Sequence, residues 1–313
     1  MLASLIYILI FPGFAFLGVF GLFAEFFDRK LYARLQNRVG PPWFQPFADF
    51  IKLLGKEEIV PCDANPAMFT LVPVIALSTV VAAFLYIPLW NTTSLLSFNG
   101  DIIVILYLLT IPTLAFFIGG WYSSSLFARI GSVRAVTQLF AYEVPLFIGI
   151  LSAALLANTW SLSEIMTFYN KSPVLALFNI LGFGVSLIAL LGKLEKVPFD
   201  IPEAETEIVA GAFTEYSGKF LALLRLTLDV EMVAGAALLA AVFLPFGLGA
   251  NPVIGFIFFI AKVLFVIALI TLLRTVFARL RIDQMISFCW KRMVPVAILQ
   301  LLICLILKGV IQR

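Results

Sequence analysis

Histidine is absent from the 313 residues, and cysteine occurs three times, at Cys62, Cys289 and Cys304, far apart and without CxxC spacing. Imidazole and thiolate ligand sets for zinc, haem or iron–sulfur clusters cannot be assembled from such a chain, so no metal and no cofactor is expected within it. Proton relays would have to use carboxylates, lysine, tyrosine and water, because the usual neutral-pH switch is missing. Charge is scarce too: Asp, Glu, Lys and Arg make up 12% of the residues against 62% hydrophobic ones, and the mean hydropathy is +1.08. A soluble domain with those proportions would precipitate, which leaves a polytopic, all-α membrane protein. The N-terminus lacks the basic start and small-residue cleavage site of a secretory signal, so the apolar run from Leu2 to Ala24 is expected to stay as a first span. No internal repeat, low-complexity tract, second soluble domain or nucleic-acid-binding pattern is visible.

What is present is a series of apolar runs near the ~20 residues a membrane helix needs. Eight spans are predicted within a single membrane domain, at 2–24, 67–90, 101–121, 139–157, 174–192, 219–244, 252–273 and 293–311, with kinks expected at Pro112 and Pro145. Sixteen Lys and Arg fall on the connections 25–66, 122–138, 193–218 and 274–292 and the Lys219 boundary, against three on the other side. The positive-inside rule then places the basic connections in the cytoplasm and both termini outside. After Gly40-Pro41-Pro42, the residues Phe47, Phe50, Ile51 and Leu54 recur at helical spacing with Asp49, Lys52 and Lys56 opposite, predicting an amphipathic helix on the cytoplasmic membrane surface or under a partner.

Six carboxylates lie between 195 and 215, in the stretch that includes Pro198-Phe199-Asp200-Ile201-Pro202-Glu203-Ala204-Glu205-Thr206-Glu207 and Thr214-Glu215-Tyr216-Ser217-Gly218. Asp200-x-x-Glu203 with Pro202 resembles a helix capping box, and Glu203 and Glu207 would share a face there. Capping accounts for only two or three of the acids. Repulsion among the rest raises some of their pKa values and makes the group responsive to a nearby charge. Ionisable residues inside predicted spans are costly and are therefore candidates for function: Arg225, Asp229, Glu231, Lys262 and Glu143. Asp229 and Lys262 each lie about ten residues into a helix, ~15 Å deep, where they could pair. The plainer reading pairs Arg225 with Asp229 and Lys262 with Glu231 as helix glue. Glu143 has no evident partner in its own helix and is placed to take up and release protons. On the basic side, Arg29, Lys30, Arg34, Arg38, Arg274, Arg279, Arg281, Lys291 and Arg292 are either topology determinants or, with Asp28, Asp283, Trp43 and Trp290, a partner docking surface.

At these residues the chain resembles the NuoH family, the membrane subunit of complex I (bacterial NADH:quinone oxidoreductase), and its counterparts in energy-converting membrane-bound hydrogenases. The carriers are Gln36-Asn37-Arg38-Val39-Gly40-Pro41, Gln45 to Glu57, Arg134-Ala135, Tyr142-Glu143, the Pro198 to Gly218 segment, and Arg281-Ile282-Asp283-Gln284-Met285 with Trp290-Lys291. The resemblance implies a carboxylate path of Glu143, Glu203, Glu205, Glu207 and Glu215 between a peripheral redox arm and ion-pumping subunits; our own reading adds Asp229, Glu231 and Lys262. It also implies docking through Arg29, Arg34, Arg38, Trp43, Arg274, Arg279, Arg281 and Asp283. Implied partners are peripheral hydrogenase-like large and small subunits and iron–sulfur subunits, carrying a nickel–iron site and iron–sulfur clusters, and antiporter-like membrane subunits beside the lipid bilayer.

Two departures bear on the branch. The usual Glu-Arg-Lys is Asp28-Arg29-Lys30 here, and the extra residues after the first Gly-Pro are missing, so Pro42-Trp43-Phe44 leads straight into the surface helix. That form resembles the hydrogenase-type branch, including sulfur-reducing relatives, which works without quinone. Two alternatives remain: a quinone-binding subunit of an NADH dehydrogenase, and a self-contained secondary ion transporter, against which the lack of an inverted repeat counts.

Overall fold

The computed structural model describes residues 2–91, 93–247 and 251–311, apart from the side chains of 2–5, 205, 206 and 311. Among the described residues there are helices and no strands, in the order α1 (Leu2–Leu9), α2 (Phe14–Leu35), α3 (Gln45–Leu54), α4 (Pro66–Phe84), α5 (Asp101–Tyr122), α6 (Leu126–Ala157), α7 (Leu162–Lys171), α8 (Pro173–Leu177), α9 (Ile180–Lys193), α10 (Glu205–Ile208), α11 (Gly218–Phe243), α12 (Pro252–Val276), α13 (Ile282–Phe288) and α14 (Val294–Ile311), with a π-helical turn over Cys289–Met293 joining the last two. Among the described residues, seven helical stretches are long and apolar enough to cross a membrane, and Ile180–Lys193 is a shorter apolar helix.

α11 runs through the middle, with nearly all of its apolar stretch buried. Its segment Ala234-Gly235-Ala236-Ala237 and the pair Ala240-Ala241 carry almost no side chain, which lets neighbouring helices approach closely where lipid supplies no hydrophobic drive. Gly21 of α2 shows how close: a Cβ there would lie 3.2 Å from the backbone nitrogen of Val230.

Several boundaries differ from the apolar runs, for one physical reason: charges that end a hydropathy window do not end a helix when they find partners inside the protein. The first span breaks at residues 10–13 and continues to Leu35, because Glu25, Asp28 and Arg29 are paired within the bundle. The fourth starts at Leu126 rather than 139, its polar residues being held by Gln138 Nε2 donating to Gly192 O at 2.6 Å and Arg134 to Glu207 at 2.6 Å. Pro112 and Pro145 both sit inside continuous helices. The expected span at 174–192 is split at Phe178 and Asn179 into α8 and α9.

The surface helix is α3. Pro46, Asp49, Phe50 and Leu53 face the bundle, while Ile51 is 65% exposed. Asp49, still partly exposed, accepts from Gln45 Nε2 at 2.8 Å and from Arg29 at 3.3 Å.

Candidate functional site

Between α2, α3, α11, the end of α12 and the segment after α9 lies a chamber of about 510 Å³. Ten ionisable side chains line it: Glu25, Arg29, Asp49, Glu195, Lys196, Asp200, Glu203, Arg225, Asp229 and Arg274. Ion pairs organise the wall. Arg29 meets Glu25 at 2.6 Å, Lys196 meets Glu25 at 3.5 Å, and Arg225 meets Glu203 at 2.7 Å.

Behind this wall, Asp28 is fully buried and accepts from Lys196 Nζ at 2.5 Å, Arg274 at 2.9 Å and Thr271 Oγ1 at 2.5 Å. One carboxylate therefore joins α2, α12 and the segment after α9. Arg274 also lies over the ring of Tyr32, 4.3 Å from its centre, and Lys196 contacts Met232 Sδ at 3.0 Å. The Lys196 ammonium stays charged despite its burial, held above the usual lysine range by Asp28 and Glu25.

Glu195 is 8% exposed and adopts φ +51°. Burial pushes its carboxyl well above the usual carboxylate range, and the neighbouring Glu203, Glu231 and Asp200 push further, against the opposing charge of Arg225. An acid whose folded pKa is raised binds more protons folded than unfolded, so its contribution to stability is complete below the unfolded pKa and is lost as pH rises toward the folded one. Glu195→Gln should match the wild-type protein in melting temperature at acid pH and exceed it increasingly toward neutral pH. A pH-independent difference in thermal-shift curves of the purified complex would refute this.

Deeper in the bundle, Lys193 and Glu231 form an ion pair at 2.7 Å, with side chains 2% and 0% exposed. Lys193 Nζ also donates to Leu109 O. Glu143 is half-buried and shares with Lys193 the wall of a small cavity, about 10 Å³, between α5, α6, α9 and α11. From the chamber inward, then, the order is Glu203 with Arg225, Glu195, Glu231 with Lys193, and Glu143.

Several predicted site residues are not gathered there. Lys262 pairs with neither Asp229 nor Glu231: its ammonium donates to Leu244 O and Phe246 O, both at 3.1 Å, at the opposite end of the bundle. Arg225 pairs with Glu203 rather than Asp229, which lines the chamber. Glu203 and Glu207 do not share a face, because the chain turns through Ala204 at φ +26° and the expected capping box does not form. Glu207 instead lies at the surface, paired with Arg134 at 2.6 Å, and the hydrogen bond from that guanidinium holds its carboxyl below the usual range. It borders a separate cleft of about 380 Å³ with Arg279, Arg281 and Asp283. Glu215 is half-buried just before α11, and the side chain of Glu205 lies outside the described residues. Of the docking candidates, Arg34, Arg38 and Trp43 are exposed, whereas Arg29 and Arg274 turn into the ion pairs described above.

The acidic loop owes its path to two glycines in the left-handed region. A Cβ on Gly211 would lie 1.9 Å from Pro202 O, and one on Gly218 2.8 Å from Glu57 O. Ser217 closes the same junction, accepting from Ile59 N at 3.0 Å.

Sequence reasoning missed Glu25 and treated Lys193 and Lys196 only as topology charges. The spacing Glu25, Asp28, Arg29 at i, i+3 and i+4 was the available signal, since it puts two acids and a base on one helix face.

A family model described as NADH dehydrogenase matches residues 6–305. The chain is 36% identical over 306 residues to the NuoH membrane subunit of the NADH-quinone oxidoreductase of Dehalococcoides mccartyi strain CBDB1, covering 96% of this chain and 85% of that protein. To the corresponding subunit from Carboxydothermus hydrogenoformans it is 34% identical over 300 residues, covering 92% and 85%. Among solved structures, a chain of the membrane-bound sulfane sulfur reductase, an archaeal respiratory membrane complex, superimposes with a TM-score of 0.84 at 27% identity, covering 93% of this chain and 96% of that one. The helices long and apolar enough to cross a membrane and these matches agree that the chain is a multi-pass membrane protein belonging to the NADH dehydrogenase family that includes the NuoH subunit of NADH-quinone oxidoreductase.

Proposed function

We propose that this chain is the anchor and coupling subunit of a ferredoxin-linked, complex I-like oxidoreductase, a membrane-bound hydrogenase or its sulfur-reducing relative. In this reading the charged end of the bundle faces the cytoplasm and carries the hydrogenase-like large and small subunits and the iron–sulfur subunits, which hold the nickel–iron site and clusters. Arg34, Arg38, Trp43 and the Arg279, Arg281, Asp283 cleft supply docking contacts. The membrane flank meets antiporter-like subunits that move protons or sodium ions.

The observation that carries the reading is the graded series of buried carboxylates and lysines from the chamber to Glu143. In a medium of low dielectric, a charge appearing at the chamber changes the proton affinity of Glu195, and like-charge contact passes the change to Glu231 and its lysine. No bond needs to form in this chain. The ten charged or ionisable groups around the chamber also suit water and ions better than an isoprenoid tail, which supports the branch without quinone, as the short first connection does.

Glu143→Gln is expected to leave assembly and electron transfer to artificial dyes near wild type while ion movement falls about tenfold or more. The measurement is cation uptake into vesicles carrying the complex, read beside dye reduction. Full pumping in this variant would remove Glu143 from the path.

A further inference from the structure

At the end of the bundle opposite the chamber, a second large cavity, about 550 Å³, opens between α8, α9, the residues after α11 and α12. It falls within the roughly 300–1,000 Å³ of ligand pockets, and its walls are apolar, formed by Pro173, Val174, Leu177, Phe183, Phe246 and Phe265 with a few others. The space exists because α9 is short. Fourteen residues span about 21 Å at 1.5 Å per residue, against ~30 Å of hydrocarbon.

The missing length is made up by α8, which has no buried residue; its Val174 and Leu177 are 65% and 69% exposed. Such a segment cannot rest in water. The freed backbone groups are satisfied from within: at the break Gln300 Nε2 donates to Phe178 O at 3.0 Å, and past the end of α11 Lys262 donates to Leu244 O and Phe246 O. Irregular backbone at membrane depth needs such internal partners where hydrocarbon surrounds it. On the wall, Tyr169 donates to Ala153 O at 2.7 Å and Asn179 Oδ1 accepts from Gln300 at 3.0 Å, while Asn179 Nδ2 is buried without a hydrogen-bond partner among the described residues. Hydrocarbon would gain contact with the apolar side chains that make up most of this wall. Asn170 lines the cavity and the next residue, Lys171, is exposed, a nearby cation for a lipid phosphate.

We propose that this cavity is a binding site for one acyl chain of a membrane phospholipid, with the phosphate beside Lys171. The site is separate from the carboxylate series and does not depend on its role.

The test is photolabelling of the intact complex in phosphatidylcholine vesicles doped with phosphatidylglycerol that carries a diazirine in mid-chain. Labelling of peptides spanning 169–183 and 243–246 is expected to saturate with the mole fraction of probe, while labelling of the exposed α14 face at Leu302 and Ile306 rises linearly. Ala176→Trp, which fills the cavity, should lower the former about fivefold or more, a loss exceeding ~1 kcal/mol of binding, and leave the latter unchanged. Lys171→Glu should raise the half-saturating fraction. Linear labelling at both places in the wild-type complex would mean bulk contact only and overturn the proposal without any variant. So would a cross-link from a benzophenone at Val174 to a neighbouring membrane subunit.

Discussion

Asp28→Leu is expected to prevent stable accumulation of the subunit in the membrane. The carboxylate is fully buried and accepts from two cations, Lys196 and Arg274, and from Thr271. Removing it leaves Arg274 without its carboxylate and Lys196 with only the more distant Glu25, both mostly buried in the chamber wall; truncating one partner of a buried pair costs about 3–5 kcal/mol. Asp28→Asn keeps the shape and the Thr271 contact but not the charge, so it should fall between. Asp49→Asn is the control, since Asp49 is 41% exposed and meets Arg29 at 3.3 Å; it should cost no more than about 1 kcal/mol. Membrane levels and thermal denaturation of the solubilised complex measure all three. Wild-type stability of Asp28→Leu would show that the cluster holds nothing together.

Lys193→Met and Glu231→Gln should each be severe, and the double variant milder than their sum. The pair is almost completely buried, at 2.7 Å, and Glu231 Oε2 has no hydrogen-bond partner among the described residues. Either single change leaves one group in apolar surroundings without its counter-charge. A coupling of about 0.5–3 kcal/mol is expected from a double-mutant cycle on thermal stability. Additive losses would mean that the two do not interact. Asp229→Asn and Lys262→Met form the contrasting cycle and should be additive, because Lys262 spends its donors on Leu244 and Phe246 carbonyls.

How much of this was legible in the chain varies with the range of the interaction. Span positions along the sequence were readable because hydropathy is a local property, and the ends were not, because Glu25, Asp28 and Arg134 stay helical only through distant partners. The carboxylates of the 195–215 stretch stood out at once. Their division into Glu195 and Glu203 at the chamber and Glu207 at the surface depends on Ala204 at a positive φ, a conformation no residue-type rule assigns to alanine. The amphipathic period of α3 was correct, whereas the contact of Asp49 with Arg29 of α2 is decided only by the fold.

By itself the sequence determined that this protein crosses a membrane many times, that it has no histidine or paired cysteine to ligate a metal, and that its acids cluster near one short loop. Those are statements about composition and neighbours in the chain. Only the tertiary structure decided which acid meets which base: Lys196 and Arg274 reach Asp28 across 168 and 246 residues. Helix packing chooses such pairs, since a buried charge is tolerated only beside an opposite one, and the chain order carries no record of which helices will be neighbours.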